Sequence, residues 1–588
     1  MTTVDLTIEI CGMSGDGTIA AGALLNAAMA RQGFSVLAFD SYPAEIRGFG
    51  RCVTRSRIGD QERLALSAKT HVLISLDDEQ SQSRLPGLAE GATVFFDNRP
   101  PVLLPEGMSL AAHVTPDTEL IGVPFTALAS RAAGSARGKN IAALGGLAAL
   151  FGMDPEPFRQ VIEGKFKAKG EAVLAGNLKS FDLAYEYVLE NYRERRRADL
   201  TAPAATSKDR QLLSGNQAIV RAALDAGLKL YFGYPITPAT PVMELLAKAL
   251  PENGGRVVQM EDEISSIGAV LGSFYAGTRA MTATSGPGFA LMTELITHGV
   301  MAEIPAVIVD AQRGGPATGL PTKTEQSDLL AAVFGGPGDS SRLVLAPTNV
   351  AECYQLLVKS FQLAEKYQTP VILLTEFFLH NRVETVGQLS ATDEEKACGN
   401  IFPDPAARDA YERYALTESG ISPRPLPGTE GFIHTVTGLE HTPKGFSDFS
   451  PANHQAMSDK RHRKMVTALA DMPLPQALPE SGELEVGVIA WGSSWGAALE
   501  AVNMAREKGL SVGALRVTSI FPYHEEEIRS FMARCREVLF PELNHDGQLA
   551  TLIGHLHGSG VRRLNRVTGL PLTAVEILDG IEEILGKS

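Results

Sequence analysis

The stretch Gly233-Tyr234-Pro235-Ile236-Thr237-Pro238, followed downstream by Met260-Glu261-Asp262-Glu263 and an Ala/Gly-rich helical pattern, constrains this chain more than any other feature. Leu228-Lys229-Leu230-Tyr231-Phe232 ahead of it reads as a short buried strand. Pro235 and Pro238 then fall where a strand must stop and a tight turn begin, because proline lacks the N–H that a ladder needs. Thr237 therefore stands at a strand's carboxyl end. In an open α/β sheet that edge faces a crevice, and ligands bind there.

Val257-Val258-Gln259-Met260 reads as a second buried strand, delivering Glu263 into apolar company with Ile264, Ile267, Ala269 and Val270. A carboxylate with little water around it is what the aminopyrimidine ring of thiamine diphosphate requires, since a hydrogen bond to N1′ favours the imino tautomer needed for proton removal at C2. Glu263 is the candidate for that role. The other reading is that Glu261, Asp262 and Glu263 form an acidic first turn, favoured at any helix N-terminus.

The strings GYPITPATPVMELL, VVQMEDEISSIGAVLGSFYAGTRAMTATSGPGFALM and DAQRGGPATGLPTKTEQSDL resemble the alpha subunits of the 2-oxoacid:ferredoxin oxidoreductases, above all the 2-oxoglutarate-acting form with a gamma domain fused ahead of alpha. The resemblance covers nearly the whole chain. It implies oxidative decarboxylation of a 2-oxoacid, with the acyl group passing to coenzyme A and electrons to ferredoxin. Arg313 and Thr322 match the family's 2-oxoacid-binding positions, and Thr237 contacts substrate or cofactor. Tyr234, Pro235, Ile236 and Thr237 of one loop, with Ser285 and Gly286 of another, line the thiamine cleft. Simple chain reversal is an equal reading of the Ser285-Gly286 turn. A guanidinium at Arg313, in a glycine-rich loop after the strand Ala306–Asp310, suits bidentate capture of a carboxylate. Lys323 and Gln326 are weaker candidates for that role, since polar loop residues are commonly only solvated. Relatives often carry a histidine before the Gly-Asp/Glu pair of the stretch written here GGPGDSSRLVLAP, so no proton-transfer role attaches to it.

Residues 5–10 alternate as a strand into Gly12-Met13-Ser14-Gly15-Asp16-Gly17, an Ala-rich helix follows, and Ser35–Asp40 makes the next strand. This looks like a βαβ unit, with Asp40 where a ribose-binding acid would stand. The glycines, however, are spaced GxxGxG rather than GxGxxG, which argues against a dinucleotide. Gly15-Asp16-Gly17 also mimics the start of the thiamine diphosphate metal motif, but no asparagine completes it in the window ending Tyr42-Pro43-Ala44-Glu45. No metal ligands are expected in this chain. The resemblance instead assigns Mg2+, the diphosphate and a 4Fe-4S cluster to a beta subunit, with thiamine diphosphate shared between them in an (alpha-beta)2 assembly, inactive as alpha alone. Gly15 and Gly17 can offer backbone N–H groups to phosphate. With Arg47, in a segment resembling the family's gamma-domain loop, they are the candidate coenzyme A contacts; an exposed hairpin arginine is the alternative.

The fold class expected is multidomain α/β. A Rossmann-like gamma domain spans 1–195, a linker 196–212, and a doubly wound, thiamine-type pyrimidine-binding domain 213–380. An extended irregular connection at 381–480 leads to a transketolase C-terminal-like domain at 481–588. A formal net charge of -15 argues against a nucleic-acid surface. Five widely spaced cysteines with no CxxC encode neither a zinc knuckle nor an iron-sulfur loop. No apolar run approaches the ~20 residues of a membrane span, and the start carries no basic n-region, so the cytoplasm is expected. Pyruvate or branched-chain 2-oxoacids are alternative substrates; a non-oxidative transketolase-type enzyme and a non-catalytic nucleotide-binding scaffold are the readings from other classes.

Overall fold

The computed structural model describes residues 4–42, 50–98, 110, 113–196, 200, 210–397 and 399–587. Arg47 and Cys398 lie outside the described residues. The chain forms two compact units, residues 1–213 with 382–388 and residues 214–381 with 389–588.

The first unit is built on an eight-stranded sheet in the order Glu119–Val123, Leu88–Asp97, Thr70–Ser75, Asp5–Met13, Arg51–Gly59, Ser35–Ser41, Val383–Val386, Gln211–Ser214. Asp5–Met13 pairs parallel with Thr70–Ser75 but antiparallel with Arg51–Gly59, which in turn pairs antiparallel with Ser35–Ser41. The opening strand-helix-strand is therefore not a simple βαβ unit: an antiparallel strand sits between its two strands. Thr54 of that strand donates to Asp40 at 2.7 Å. Burial pushes the Asp40 carboxyl up to about 6. The acid placed where a ribose would be gripped is thus tied within its own sheet. Helix Lys139–Leu150 is buried on almost every face, as its run of Ala, Leu and Gly demands.

The second unit carries a seven-stranded sheet in the order Ser519–Phe521, Leu343–Leu345, Pro370–Glu376, Ala306–Gln312, Ala280–Thr284, Leu230–Gly233, Arg256–Gln259. All neighbours are parallel except the antiparallel Ser519–Phe521. Its central strands Ala280–Thr284, Ala306–Gln312 and Pro370–Glu376 are buried at every residue, the pattern of a parallel sheet covered on both faces. Arg256–Gln259 does not fit the expectation of a buried strand. It is the sheet's edge, and Val258 is 38% exposed.

The chain runs from Leu230–Gly233 outward to Arg256–Gln259, then returns on the other side as Ala280–Thr284, so the strand order reverses between Leu230–Gly233 and Ala280–Thr284. Such a reversal leaves a crevice at the strands' carboxyl ends. A five-stranded sheet, Gln476–Leu478, Val512–Arg516, Leu484–Ala490, Cys535–Glu542, Arg562–Asn565, completes this unit.

The stretch expected as irregular, 381–480, is more ordered than its composition indicates. Val383–Val386 adds a strand to the first sheet, and Pro451–Ala468 is an 18-residue helix. Lys460 and Lys464 reach Glu303, at 2.6 and 3.0 Å, with all three side chains almost fully buried. Arg413 donates to the Glu303 carbonyl at 2.7 Å. Burial alone would raise the Glu303 carboxyl, but Lys460, Lys464 and Arg413 overcome it and hold the group well below the usual carboxylate range. Removing one member of a buried ion cluster leaves uncompensated charge, so Glu303→Gln should destabilise the protein by about 3–5 kcal/mol. Thermal unfolding followed by calorimetry checks this; an unchanged midpoint refutes the anchoring role.

Candidate active site

Four loops meet at the carboxyl edge of the second unit's sheet, each following one of the parallel strands Leu230–Gly233, Arg256–Gln259, Ala280–Thr284 and Ala306–Gln312. They bring Tyr234–Pro238, Glu263, Ser285–Gly288 and Arg313 to the same end of the sheet.

Glu263 opens helix Glu263–Tyr275, capped by reciprocal hydrogen bonds between Asp262 and Ser265. Of the three acids in that turn, Asp262 does the capping and Glu263 is carried inward, only 6% exposed. No donor or cation among the described residues satisfies its carboxylate. The carboxylate lies against Gly288: a Cβ built there would stand 2.4 Å from Glu263 Oε1 and 2.2 Å from Thr284 Oγ1. Glycine at 288 is therefore the residue that admits the acid. Of the apolar company expected, Ile267 and Val270 are buried, Ala269 is half-buried and Ile264 is 45% exposed. An inward-turned carboxylate without a protein partner suits a ligand that brings its own donor, and the aminopyrimidine of thiamine diphosphate is such a group.

Ser285 is fully buried with its hydroxyl unpartnered. Gly286 begins helix Gly286–Met301, and a Cβ there would stand 2.7 Å from Asp328 Oδ2. Tyr234 and Pro235 are exposed, Ile236 and Thr237 half-buried. Arg313 is buried; its Nη1 donates to the Thr237 carbonyl at 2.7 Å, and its Nε is buried without a partner. One edge of the fork holds the Tyr-Pro-Ile-Thr-Pro loop and a donor remains for a ligand. Burial lowers the Arg313 pKa, and Asp328 works against that. Thr322 is half-buried on the same hairpin as Arg313: Gly314 N–H donates to the Lys323 carbonyl at 3.0 Å and Leu320 N–H to the Gly314 carbonyl at 2.8 Å.

Gln326 is not a solvated loop residue. It is fully buried, donates to Glu376 Oε1 at 2.7 Å, and accepts from Ser494 Oγ and the Leu543 N–H, each at 2.9 Å. Asn544 donates to the Gln326 carbonyl at 2.9 Å, and Gln548 donates to the Ser327 carbonyl at 2.8 Å. The five-stranded sheet and its loops thus brace the loop that carries Gln326 through buried amides. The sequence reading assigned nothing to Asp310, Asp328 and Glu325; their signal was acids beside a strand-end arginine.

In the first unit, Gly15 and Gly17 hold left-handed backbone, φ 102 and 80. Asp16 folds back: it pairs with Lys139 at 2.7 Å and accepts from Met13 N–H at 2.9 Å. The helix that follows, Thr18–Arg31, has no side-chain cap. Among the described residues no helix is long and apolar enough to cross a membrane.

The chain matches three families: residues 221–460 match "Pyruvate flavodoxin/ferredoxin oxidoreductase, thiamine diP-bdg", residues 7–187 "Pyruvate ferredoxin/flavodoxin oxidoreductase", and residues 485–577 "Pyruvate:ferredoxin oxidoreductase core domain II". It is 32% identical to the 2-oxoglutarate oxidoreductase subunit KorA of Mycobacterium tuberculosis, over 97% of this chain and 90% of that protein. It is 36% identical to the 2-oxoglutarate synthase subunit KorA of Methanocaldococcus jannaschii, over 57% of this chain and 88% of that one. A solved 2-oxoglutarate:ferredoxin oxidoreductase from Magnetococcus marinus, with 2-oxoglutarate, coenzyme A and succinyl-CoA bound, superimposes with a TM-score of 0.92 at 36% identity, covering 100% of both chains. With a buried acid, a buried arginine and the strand-end loops between them in one crevice, the chain belongs to the thiamine diphosphate-dependent 2-oxoacid:ferredoxin oxidoreductases, as an alpha subunit.

Proposed function

We propose that this alpha subunit works in the coenzyme A-acylating conversion of 2-oxoglutarate, coenzyme A and oxidised ferredoxin to succinyl-CoA, carbon dioxide and reduced ferredoxin, in either direction. The observation that carries the reading is Glu263, 6% exposed, its carboxylate unpartnered among the described residues and seated on Gly288. When bound, thiamine diphosphate supplies a nucleophilic carbon and an electron sink. Glu263 would hold the proton at N1′ of its aminopyrimidine, and Ser285 and Gly286, with Tyr234 to Thr237, would shape the cleft around that ring. Arg313 would grip the 2-oxoacid carboxylate through its free donor edge, with Thr322 and Thr237 beside it. Burial of the acid and the guanidinium strengthens both contacts.

The relatives bearing on substrate choice are named for 2-oxoglutarate, and the Magnetococcus enzyme holds 2-oxoglutarate and succinyl-CoA. Thiamine diphosphate shared with a beta subunit, the beta subunit's Mg2+ and 4Fe-4S cluster, and an (alpha-beta)2 assembly belong to the same proposal, as does a cytoplasmic location. Coenzyme A would meet the first unit at Gly15, Gly17 and Arg47; Arg47→Ala should weaken coenzyme A binding without loss of oxoacid decarboxylation, and unchanged affinity by calorimetry removes that contact. The decisive experiment is coenzyme A-dependent ferredoxin reduction by the purified alpha and beta chains with 2-oxoglutarate, pyruvate and a branched-chain 2-oxoacid in turn. Fastest turnover with 2-oxoglutarate supports the proposal; preference for another acid, or full activity of alpha alone, overturns it.

A further inference from the structure

The five-stranded sheet has a crevice of its own. Its chain runs from Leu484–Ala490 to Val512–Arg516 on one side, then crosses to Cys535–Glu542 on the other. Leu484–Ala490 and Cys535–Glu542 are parallel neighbours, so the strand order reverses between them, and at their carboxyl ends an open α/β sheet takes its ligand. Here the occupant is the Gln326 side chain. Its Nε2 donates to the Trp491 carbonyl at 3.1 Å as well as to Glu376, and its Oε1 accepts from Ser494 Oγ and the Leu543 N–H. Its backbone N–H donates to the Leu543 carbonyl at 2.8 Å. Gly492 leaves the room, since a Cβ there would stand 2.6 Å from Gln326 Nε2.

Gln326 follows the hairpin that carries Arg313 and Thr322. The hairpin's tip, residues 316–320, is exposed throughout, so burial does not fix it. Bonds across the neck tie it into one piece: Gly314 N–H donates to the Lys323 carbonyl, and Gly315 N–H donates to Glu325 Oε2 at 3.2 Å. Where that piece stands is set by its two legs. The first continues the strand Ala306–Gln312, paired along its length with Pro370–Glu376. The second, residues 324–328, belongs to no strand or helix. It is held by Gln326, by Asn544 on the Gln326 carbonyl, and by Gln548, which donates to the Ser327 carbonyl and accepts the Leu330 N–H at 3.0 Å. Each of these three amides uses both its nitrogen and its oxygen. Hydrogen bonds are directional, and a satisfied buried network fixes orientation in a way that apolar packing does not.

We infer that Gln326, Asn544 and Gln548 are positioning residues for the 2-oxoacid: the five-stranded sheet, through the crevice that Gln326 fills, sets where the Arg313–Thr322 hairpin stands. They act through Arg313 and Thr322, not on the substrate itself, and the inference rests on the proposed role of those two residues. Coupling of this kind is reciprocal. Bonds that hold the hairpin ready for the oxoacid are themselves held more firmly once the oxoacid is bound.

The test has a wild-type arm and a variant arm. In the assembled wild-type enzyme without coenzyme A, adding the 2-oxoacid should slow hydrogen exchange several-fold in peptides covering residues 540–550. Unchanged exchange there overturns the inference, and this arm needs no variant to fold. In the variant arm, Gln326→Met and Gln548→Met keep the side chain's bulk and remove its amide. KM for the oxoacid should rise about tenfold in Gln548→Met and about a hundredfold in Gln326→Met, the scale of a binding group misplaced by up to about 1 Å, while kcat and the KM for coenzyme A change much less. A merely structural role would lower the melting temperature and leave both KM values alone. An unchanged oxoacid KM in Gln548→Met, or a parallel rise in both KM values, overturns the inference; Gln548→Met decides should Gln326→Met not fold. Arg313→Met separates this from the underlying reading: an unchanged oxoacid KM there removes the role of Arg313, whereas a raised KM there beside unchanged values in both glutamine variants removes only the positioning.

Discussion

Glu263→Gln should lower turnover of the assembled enzyme by about 10²–10⁴-fold, the range for loss of a positioned proton-transfer group, with little change in thermal stability. Glutamine keeps the shape and volume of the side chain, and no salt bridge or hydrogen bond among the described residues is lost, so the fold has no reason to weaken. What disappears is the negative charge that would hold a proton on the aminopyrimidine. Gly288→Ala offers an independent route to the same defect. Alanine is acceptable in a helix, but its Cβ would stand 2.4 Å from Glu263 Oε1, and the carboxylate must move. Turnover should fall although residue 288 has no chemistry of its own. Native-rate turnover by Glu263→Gln, measured as ferredoxin reduction at saturating substrates, would falsify the assignment on which the proposed mechanism stands.

Arg313→Met should reduce kcat/KM for the 2-oxoacid by roughly two to four orders of magnitude, since hydrogen bonds to charged groups contribute about 1.5–3 kcal/mol each and a guanidinium offers two to a carboxylate. Two losses combine. The substrate's partner goes, and so does the 2.7 Å bond that ties the Thr237 carbonyl. Arg313→Lys restores charge but not the planar fork, so it should recover only part of the affinity. A fall in kcat/KM of less than tenfold for Arg313→Met would mean that the oxoacid is held elsewhere.

Much of this site is legible in the sequence because its parts are local. Tyr-Pro-Ile-Thr-Pro stops a strand by the chemistry of proline, and Ser-Gly-Pro-Gly turns a strand into a helix. A capping acid precedes Glu263 for the reasons that govern any helix N-terminus. The expectation of a buried strand at Val257-Val258-Gln259 failed because apolar β-branched residues do not say whether a strand is central or at an edge. The sheet's order put it at the edge. The 381–480 stretch was opaque for another reason: it carries no clear period, and only Glu303, far away in sequence, makes Lys460 and Lys464 core.

The chain's own order of residues determined which backbone turns form and which side chains leave them, and hence the three α/β sheets and the placement of Glu263, Arg313, Thr322 and Thr237 at strand ends. Tertiary structure alone decided which of the neighbouring acids lose their water. Asp262 stays at the helix cap, Glu263 is enclosed on Gly288, and Asp310 is fully buried. Local conformation is set by a residue and its few neighbours, whereas burial is set by whatever distant segments close over it.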